Sequence, residues 1–139
     1  MRCLGLDLGT RTLGIAISDD QGIIAFGLKT YHFRENDLPK VVDYVKILCA
    51  SKQIDKIILG FPKNMDGSVG FQGEYVLKFK AMLESLVDIE IILEDERLTS
   101  TQANKVMLEA DISRRKRKKA IDKLAATLIL QSYLDRKRT

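Results

Sequence analysis

Two short apolar runs open the chain, and the first of them carries a carboxylate near its end. The runs cover residues 3–8 and 13–18, with Gly9, Thr10 and Arg11 between them, and Asp7 is the single acid of the first run. Uninterrupted apolar runs bounded by turn residues are typical of buried strands, so this layout predicts a β-hairpin. An ionised carboxylate in such a strand is costly unless it is paired or bound to a metal. Asp7 is therefore a candidate metal or phosphate site.

The rest of the chain alternates between strand patterns and helix patterns. Turn residues lead to a third strand over residues 23–30, after which Asn36 or Asp37 begins a first helix. Further elements follow in this order: a strand over residues 56–60, an amphipathic helix with Val76, Phe79, Leu83 and Leu86 on one side, a strand over residues 89–93, a helix opened by a capping box at residues 99–102, and a last helix over residues 120–134.

The order of these elements predicts an α/β fold. An opening meander of three strands favours antiparallel pairing, whereas strands separated by helices favour parallel crossovers. We therefore expect a five-stranded mixed sheet, with three antiparallel strands and then parallel strands, and helices on both faces. Ligands of such open sheets bind beyond the carboxyl ends of the strands, near a change in strand order. Asp7 is expected close to that point.

Composition and length indicate one globular domain over residues 1–139. The chain is 45% hydrophobic and 30% charged, which is ordinary for a globular protein. No apolar stretch approaches the roughly 20 residues of a membrane span, and the N-terminus lacks the layout of a signal peptide. We therefore expect a cytoplasmic protein with no membrane partner. Cys3 and Cys49 are expected to be buried free thiols.

The positive charge is concentrated at one end of the chain. Residues 114–139 hold ten Lys or Arg against two acids, whereas the other 113 residues hold thirteen against seventeen. Six of these cations form one uninterrupted block: Arg114, Arg115, Lys116, Arg117, Lys118 and Lys119. Such a block is either a solvated surface segment or a phosphate-contacting patch, because clustered cations release counterions from nucleic acid.

Three carboxylates are the candidate metal ligands. Asp7 lies near the end of the first strand, Glu96 lies just past the fifth, and Asp122 lies on an apolar stripe of the last helix. Alone, each has a structural interpretation: a bond to the next turn, an exposed loop acid, and an acid near a helix N-terminus. Together, oxygen ligands of this kind select Mg²⁺ or Mn²⁺. Two such ions activate water and stabilise the leaving oxygen of a phosphodiester.

Four motifs of the chain resemble the YqgF (RuvX) family, within the RNase H-like superfamily that includes the RuvC resolvases. They lie at residues 5–14, 60–68, 95–99 and 121–131. The resemblance implies a nuclease whose Mg²⁺ or Mn²⁺ is held by Asp7, Glu96 and Asp122. It also implies maturation of the 5′ end of pre-16S ribosomal RNA in the cytoplasm. An older assignment for the family is Holliday-junction resolution, by analogy with the resolvases.

The chain departs from the wider superfamily at its fourth strand. Nucleases of that fold commonly take an acid from this strand, but here it ends in Leu59-Gly60. Glu94 points the same way as Glu96 if the fifth strand continues that far.

Other residues of the motif loops are candidates for supporting roles. Arg11, Lys63 and Arg97 either contact phosphates and orient the acids or form simple salt bridges. Gly9 and Gly67 are expected in turns. Tyr31, Phe33 and Phe71 would stack on bases if exposed, although with nine aromatic residues in the chain a role in the core is favoured.

Three functions stay open at this stage. The first is a nuclease that acts on structured RNA during ribosome maturation, with the pre-ribosomal particle as a partner. The second is an endonuclease specific for branched DNA, which requires a dimer or paired monomers for two incisions, although the sequence indicates only a monomer or weak dimer. The third is a non-catalytic nucleic-acid-binding assembly factor. An actin-like ATPase, which shares the Asp-x-Gly-Thr motif, is disfavoured by the chain length.

Overall fold

A five-stranded mixed sheet forms the centre of the molecule. The computed structural model describes residues 1–64, 66–96 and 114–137, with the side chains of residues 114–122 outside the description. The strands are β1 (Cys3–Leu8), β2 (Thr12–Ser18), β3 (Ala25–His32), β4 (Lys56–Phe61) and β5 (Glu90–Asp95). Their order across the sheet is β3-β2-β1-β4-β5. The first three strands pair antiparallel, and β4 pairs parallel with both β1 and β5. The expected α/β architecture is therefore confirmed.

Two helices cover one face of the sheet. They are α1 (Leu38–Lys52) and α2 (Phe71–Glu84). Asp37 is the N-cap of α1, where its carboxylate accepts a hydrogen bond from the backbone N–H of Lys40. The larger core cluster lies on this face and takes alternate strand residues, including Leu4, Leu6 and Leu8 of β1. This alternation leaves the other residues of β1, Asp7 among them, on the opposite face.

In the described part of the chain, one long helix, α3 (Arg114–Lys137), covers the opposite face. It approaches β1 closely because Gly5 has no side chain: a Cβ there would lie 2.7 Å from Leu130 Cβ. Gln131 fixes the helix to the start of β3, accepting a hydrogen bond from Ala25 N (2.8 Å) and donating one to Ile23 O (3.0 Å). The buried side chains of α3 form a second, smaller core cluster with Cys3 and Ile58.

Several boundaries differ from the sequence prediction. The last helix was predicted over residues 120–134, with the basic block outside it, but the helix begins at Arg114. Lysine and arginine are good helix formers and no Gly or Pro interrupts the run, so the helix continues through the block. Leu86 lies beyond α2 and is 43% exposed rather than buried with that helix. The helix predicted from residue 99 lies outside the described residues.

Two further observations concern the cysteines and the helices. Cys3 and Cys49 are buried free thiols, as predicted, and burial raises the pKa of Cys49 to about 11. Within the described part of the chain, no helix is long and apolar enough to cross a membrane.

Candidate active site

Asp7 lies where the carboxyl ends of β1 and β4 meet. It is opposite Gly14 in the antiparallel hairpin, and the residue before it, Leu6, is in register with Leu59 of the parallel strand β4. The hairpin turn that follows is closed by a 2.8 Å hydrogen bond from the backbone N–H of Gly9 to Thr12 O, which confirms the turn predicted there. The Asp7 side chain is half-buried on the α3 face of the sheet. The strand order changes direction at this pair of strands, so Asp7 is placed as expected.

Glu96 reaches the same edge from β5. Its backbone N–H donates a hydrogen bond to Phe61 O at 3.2 Å, which extends the pairing of β5 with β4 by one step. Its carboxylate lies over Gly60, where an added Cβ would overlap Glu96 Oε2. Strand β4 has no acid of its own, but Gly60 provides the space in which the Glu96 carboxylate is held.

The carboxyl groups of Asp7 and Glu96 are in direct contact. They share a hydrogen bond, which requires a proton because two carboxylates have no donor between them. Burial of Glu96 and the adjacent negative charge of Asp7 raise the pKa of Glu96 to about 9, with a smaller contribution from Asp95. Without a bound cation, this pair therefore holds a proton at neutral pH.

The third candidate acid is on the helix that covers this face. Ile129 of α3 lies beside Gly60 at the carboxyl end of β4, whereas Tyr133, one turn later, is close to Lys56 at its other end. The helix therefore runs with its N-terminal half toward the acid pair, and residue 122 lies in that half. Ala126, Ile129 and Tyr133, the residues predicted to share a helix face with Asp122, are buried. The carboxyl group of Asp122 itself lies outside the described side chains.

Among the described side chains, no group of three His, Cys, Asp or Glu residues could hold a metal ion. The acid pair is therefore the part of the predicted ligand set that the structure brings together.

Glu94 points toward α3 but is occupied by a different interaction. Its side chain is 5% exposed and forms an ion pair with Arg136, with a shortest N–O distance of 2.6 Å. The hydroxyl of Ser132 donates a second hydrogen bond to it at 3.2 Å. The sequence predicts the direction of Glu94, because it lies two residues from Glu96. It does not reveal these partners, which are about forty residues away along the chain.

Comparison with known proteins identifies the family of this chain. The family described as "RuvX: Holliday junction resolvase" matches residues 1–136. The chain belongs to the RuvX family. A relative from Bacillus subtilis (strain 168) is 50% identical over 135 residues, covering 97% of this chain and 98% of the relative. One from Clostridium kluyveri is 49% identical over 136 residues, covering 98% of each. Both are named "Putative pre-16S rRNA nuclease".

Solved structures show the same fold. The chain of T. thermophilus RuvC in complex with Holliday junction substrate gives a TM-score of 0.63 at 12% identity, covering 100% of this chain and 97% of that one. The fowlpox virus resolvase in complex with Holliday junction DNA gives 0.64 at 14% identity, with full coverage of both chains. The RuvX-family chain therefore has the RNase H-like fold of the RuvC-type resolvases.

The predicted phosphate-binding residues of this RuvX-family chain have different surroundings. Arg11, in the β1–β2 turn, forms an exposed ion pair with Glu35 at 3.1 Å. Lys63 follows β4, with its Nζ 5.9 Å from the centre of the Phe61 ring, at the strand end that also bonds Glu96. Arg97 lies outside the described residues, and Arg114–Lys119 are described only as helical backbone.

The three predicted aromatic candidates divide clearly. Phe33 is buried, and Tyr31 stacks on Tyr44 with ring centres 3.9 Å apart, so both serve the fold. Phe71 is 91% exposed at the start of α2, so the favoured core role is wrong for this residue. Its neighbours Gly70 and Gln72 gave no signal that the helix would present the Phe71 ring to solvent.

Proposed function

We propose that this RuvX-family chain is a metal-dependent nuclease that hydrolyses phosphodiester bonds in structured RNA, in 5′-end processing of pre-16S rRNA. The observation that carries the proposal is the contact between the carboxyl groups of Asp7 and Glu96 at the carboxyl edge of the sheet. Two like charges held together in a partly buried place are costly for the fold, and such arrangements occur at sites that bind cations. The family and the names of the relatives support the choice of reaction and substrate.

The acid pair fits a divalent metal ion. Both groups supply carboxylate oxygens, the ligands that Mg²⁺ and Mn²⁺ prefer. The proton that the pair holds without metal marks the place where a cation would offset the repulsion between the two groups. Asp122 would complete the ligand set from α3. When bound, two such ions would activate water and stabilise the leaving oxygen of the phosphodiester.

The strands hold the two acids in place, and the cations nearby attract the substrate. Asp7 is fixed by the pairing of β1 on both sides, and Glu96 is fixed by its backbone bond to Phe61 and by the space over Gly60. Rigid placement of this kind lowers the entropic cost of reaching the reactive geometry. Lys63 and the basic block of α3 attract the phosphate backbone to this edge, and Arg11 and Arg97 are the further candidates for phosphate contacts.

The deciding experiment compares two substrates under the same conditions. Purified protein is incubated with Mn²⁺ and either a pre-16S 5′-leader RNA or a four-way DNA junction. We expect cleavage of the RNA, and at least a hundredfold loss of rate in Asp7→Asn, which removes a charge with little change of shape. Asp43→Asn is the matched control, because Asp43 is exposed on α1 at the other face of the sheet. Equal cleavage by wild type and Asp7→Asn would refute the site.

A second candidate function is resolution of branched DNA. The fold likeness to two resolvases in complex with Holliday junctions favours it. Preferential cleavage of the junction in the same experiment would support this alternative. Tight binding of RNA without cleavage of either substrate would indicate the non-catalytic assembly factor instead.

A further inference from the structure

We propose that Phe71 stacks on an unpaired base of the nucleic-acid substrate at the sheet edge that carries the acid pair, so that the enzyme selects single-stranded or splayed-out nucleotides near the cleavage site. This inference rests on the proposed nuclease function. It adds a residue that specifies the substrate class, and it assigns no part in the hydrolysis itself.

The exposure of Phe71 is the first observation. At 91% it is the most exposed large hydrophobic side chain in the described part of the chain, ahead of Ile47 at 63%. Burial of a phenylalanine ring stabilises the folded protein, so packing within the fold does not explain an exposed ring. The chain has five Phe residues and no Trp, and it places one of these few rings almost entirely in solvent.

The second observation is the position of the helix start. The side-chain amide of Gln72 donates a hydrogen bond to Leu8 O at 3.1 Å, and Leu8 directly follows Asp7. At Gly73 the helix approaches the end of β4 so closely that an added Cβ would lie 3.0 Å from Pro62 O. Phe71 is therefore attached to the two strand ends that carry Asp7 and Gly60.

The loop that leads to Phe71 is held by its own hydrogen bonds. The backbone N–H of Asn64 bonds to Ser68 O at 2.9 Å, and that of Gly67 bonds to Asn64 O at 2.8 Å. Gly67 has a φ of 90°, a conformation that favours glycine, which confirms the turn predicted there. The amide of Asn64 also bonds the Ser68 hydroxyl at 3.0 Å. A ring at a helix start that is bonded to a neighbouring strand end loses little freedom when it binds a ligand.

A nucleobase is the occupant that fits this ring. Lys63 lies on the same loop, so a backbone phosphate and the base next to it can be contacted together. Stacking of bases on exposed aromatic rings is tolerant of sequence and requires bases that are not paired. The exposed apolar surface here is one ring and the partly exposed Val69, whereas protein-docking patches cover several hundred Å².

The direct test uses the absence of tryptophan from the sequence. Phe71→Trp introduces a single fluorophore, and combining it with Asp7→Asn prevents cleavage during the titration. We expect quenching of its fluorescence at saturation with a single-stranded leader RNA. We expect no quenching with a fully paired duplex of the same sequence, or with a leader in which abasic sites replace the unpaired bases. The control is Phe26→Trp in the same background, because Phe26 is 53% exposed on β3 at the edge of the sheet.

A kinetic series tests the role in selection. In an otherwise wild-type chain, Phe71→Ala and Phe71→Leu should lower kcat/KM for RNA with unpaired nucleotides by about tenfold, mainly through KM, because stacking is lost. Phe71→Tyr keeps an aromatic face and should retain at least half of the wild-type value. Circular dichroism and thermal unfolding verify that each variant is folded.

The outcomes separate this inference from the proposed function. Unchanged fluorescence at saturating RNA, or a Phe71→Leu variant as active as wild type, would overturn the stacking role. Equal quenching by single strand, duplex and abasic strand would also overturn it. If wild type cleaves nothing but Phe71→Trp is quenched only by unpaired RNA, the proposed nuclease fails and the base contact stands. Loss of binding to a protein partner instead of RNA in Phe71→Ala would show that the ring is a protein contact.

Discussion

At the residue scale, Gly60 and Glu96 act together. Glycine at the end of β4 leaves the volume that the Glu96 carboxylate occupies, and Glu96 meets Asp7 in that place. The sequence identifies Asp7 and Glu96 as candidate metal ligands, because each breaks or ends an apolar run. It does not predict the use of Gly60, since the contact joins residues 36 positions apart and depends on the register of β4 with β5.

Gly60→Ala should disturb the acid pair directly. The new methyl group would overlap Glu96 Oε2 and lie 2.7 Å from Ile129 Cδ1, so the carboxylate has to move. We expect at least a tenfold loss of Mn²⁺-dependent cleavage and a loss of about 1–3 kcal/mol in the free energy of unfolding. Gly27→Ala is the control, because its methyl group would also crowd α3, 2.9 Å from Lys123 Cγ, but on β3 and away from the Asp7–Glu96 pair. A similar loss of cleavage in both variants would contradict the explanation.

The stability of the metal-free protein should depend on the protonation of Glu96. The pKa of this group in the folded protein is about 9, above its ordinary value of 4.5. The fold therefore favours the protonated form, and the stability that this form contributes is complete below pH 4.5 and lost as the pH rises toward 9. We expect urea unfolding in EDTA to show a decrease in the free energy of unfolding between pH 5 and pH 8 of up to about 4 kcal/mol, because each pH unit in this range costs up to about 1.4 kcal/mol.

Two variants identify the group responsible for this pH dependence. Glu96→Gln should flatten the profile, whereas Asp88→Asn, at an exposed position, should leave it as in wild type. A profile of Glu96→Gln that still falls like the wild type would assign the effect to other groups.

At the element scale, α3 covers the face of the sheet on which Asp7 lies. The helix is joined to β3 through Gln131 and to β5 through Glu94 and Arg136. The sequence predicts its inward stripe, because the apolar spacing is helical. The sequence does not predict that the basic block belongs to the same helix, because a run of charges has no apolar periodicity to identify it. The pairing of Arg136 with a buried acid is also missed, since Arg136 reads as part of a basic tail.

Breaking the Glu94–Arg136 pair should loosen this helix. Arg136→Ala leaves Glu94 buried without its cation, and we expect a loss of about 2 kcal/mol in the free energy of unfolding, since the exposed side of Arg136 limits the effect. Combining Arg136→Ala with Glu94→Gln should recover part of that loss, because the remaining buried group is then neutral. Lys137→Ala is the neighbouring control. Chemical denaturation measures all four proteins, and equal stability of Arg136→Ala and Lys137→Ala would contradict the role of the pair.

At the scale of the whole molecule, charge is separated along the chain and brought together by the fold. Residues 114–139 carry a balance of +8 and the rest of the chain a balance of −4. Because the N-terminal half of α3 lies toward the carboxyl ends of β1 and β4, the basic block extends from the acid edge of the sheet. Composition predicts affinity for phosphates, but only the direction of α3 relates that affinity to the acids.

Neutralising the basic block should weaken RNA binding and change its salt dependence. Replacing the six cations Arg114–Lys119 by glutamine removes phosphate contacts, and each lost contact lowers the slope of log K against log [salt] by about 0.7 for a single strand. Binding titrations between 50 and 300 mM salt, roughly the range in which such slopes are read, provide the measurement. Lys40→Gln with Lys46→Gln, two exposed positions on α1, is the control. An unaltered slope in the block variant would show that these cations do not contact RNA.

The parallel pairing of β1, β4 and β5 has a consequence for how the protein is made. Asp7 is synthesised before Glu96 and α3, and the acid pair exists only after β5 has added to the edge of β4. Under the proposed function, a nascent chain therefore has no competence to cut the RNA that surrounds it during its own synthesis. The acid pair that the proposed reaction needs is formed only when the sheet is complete.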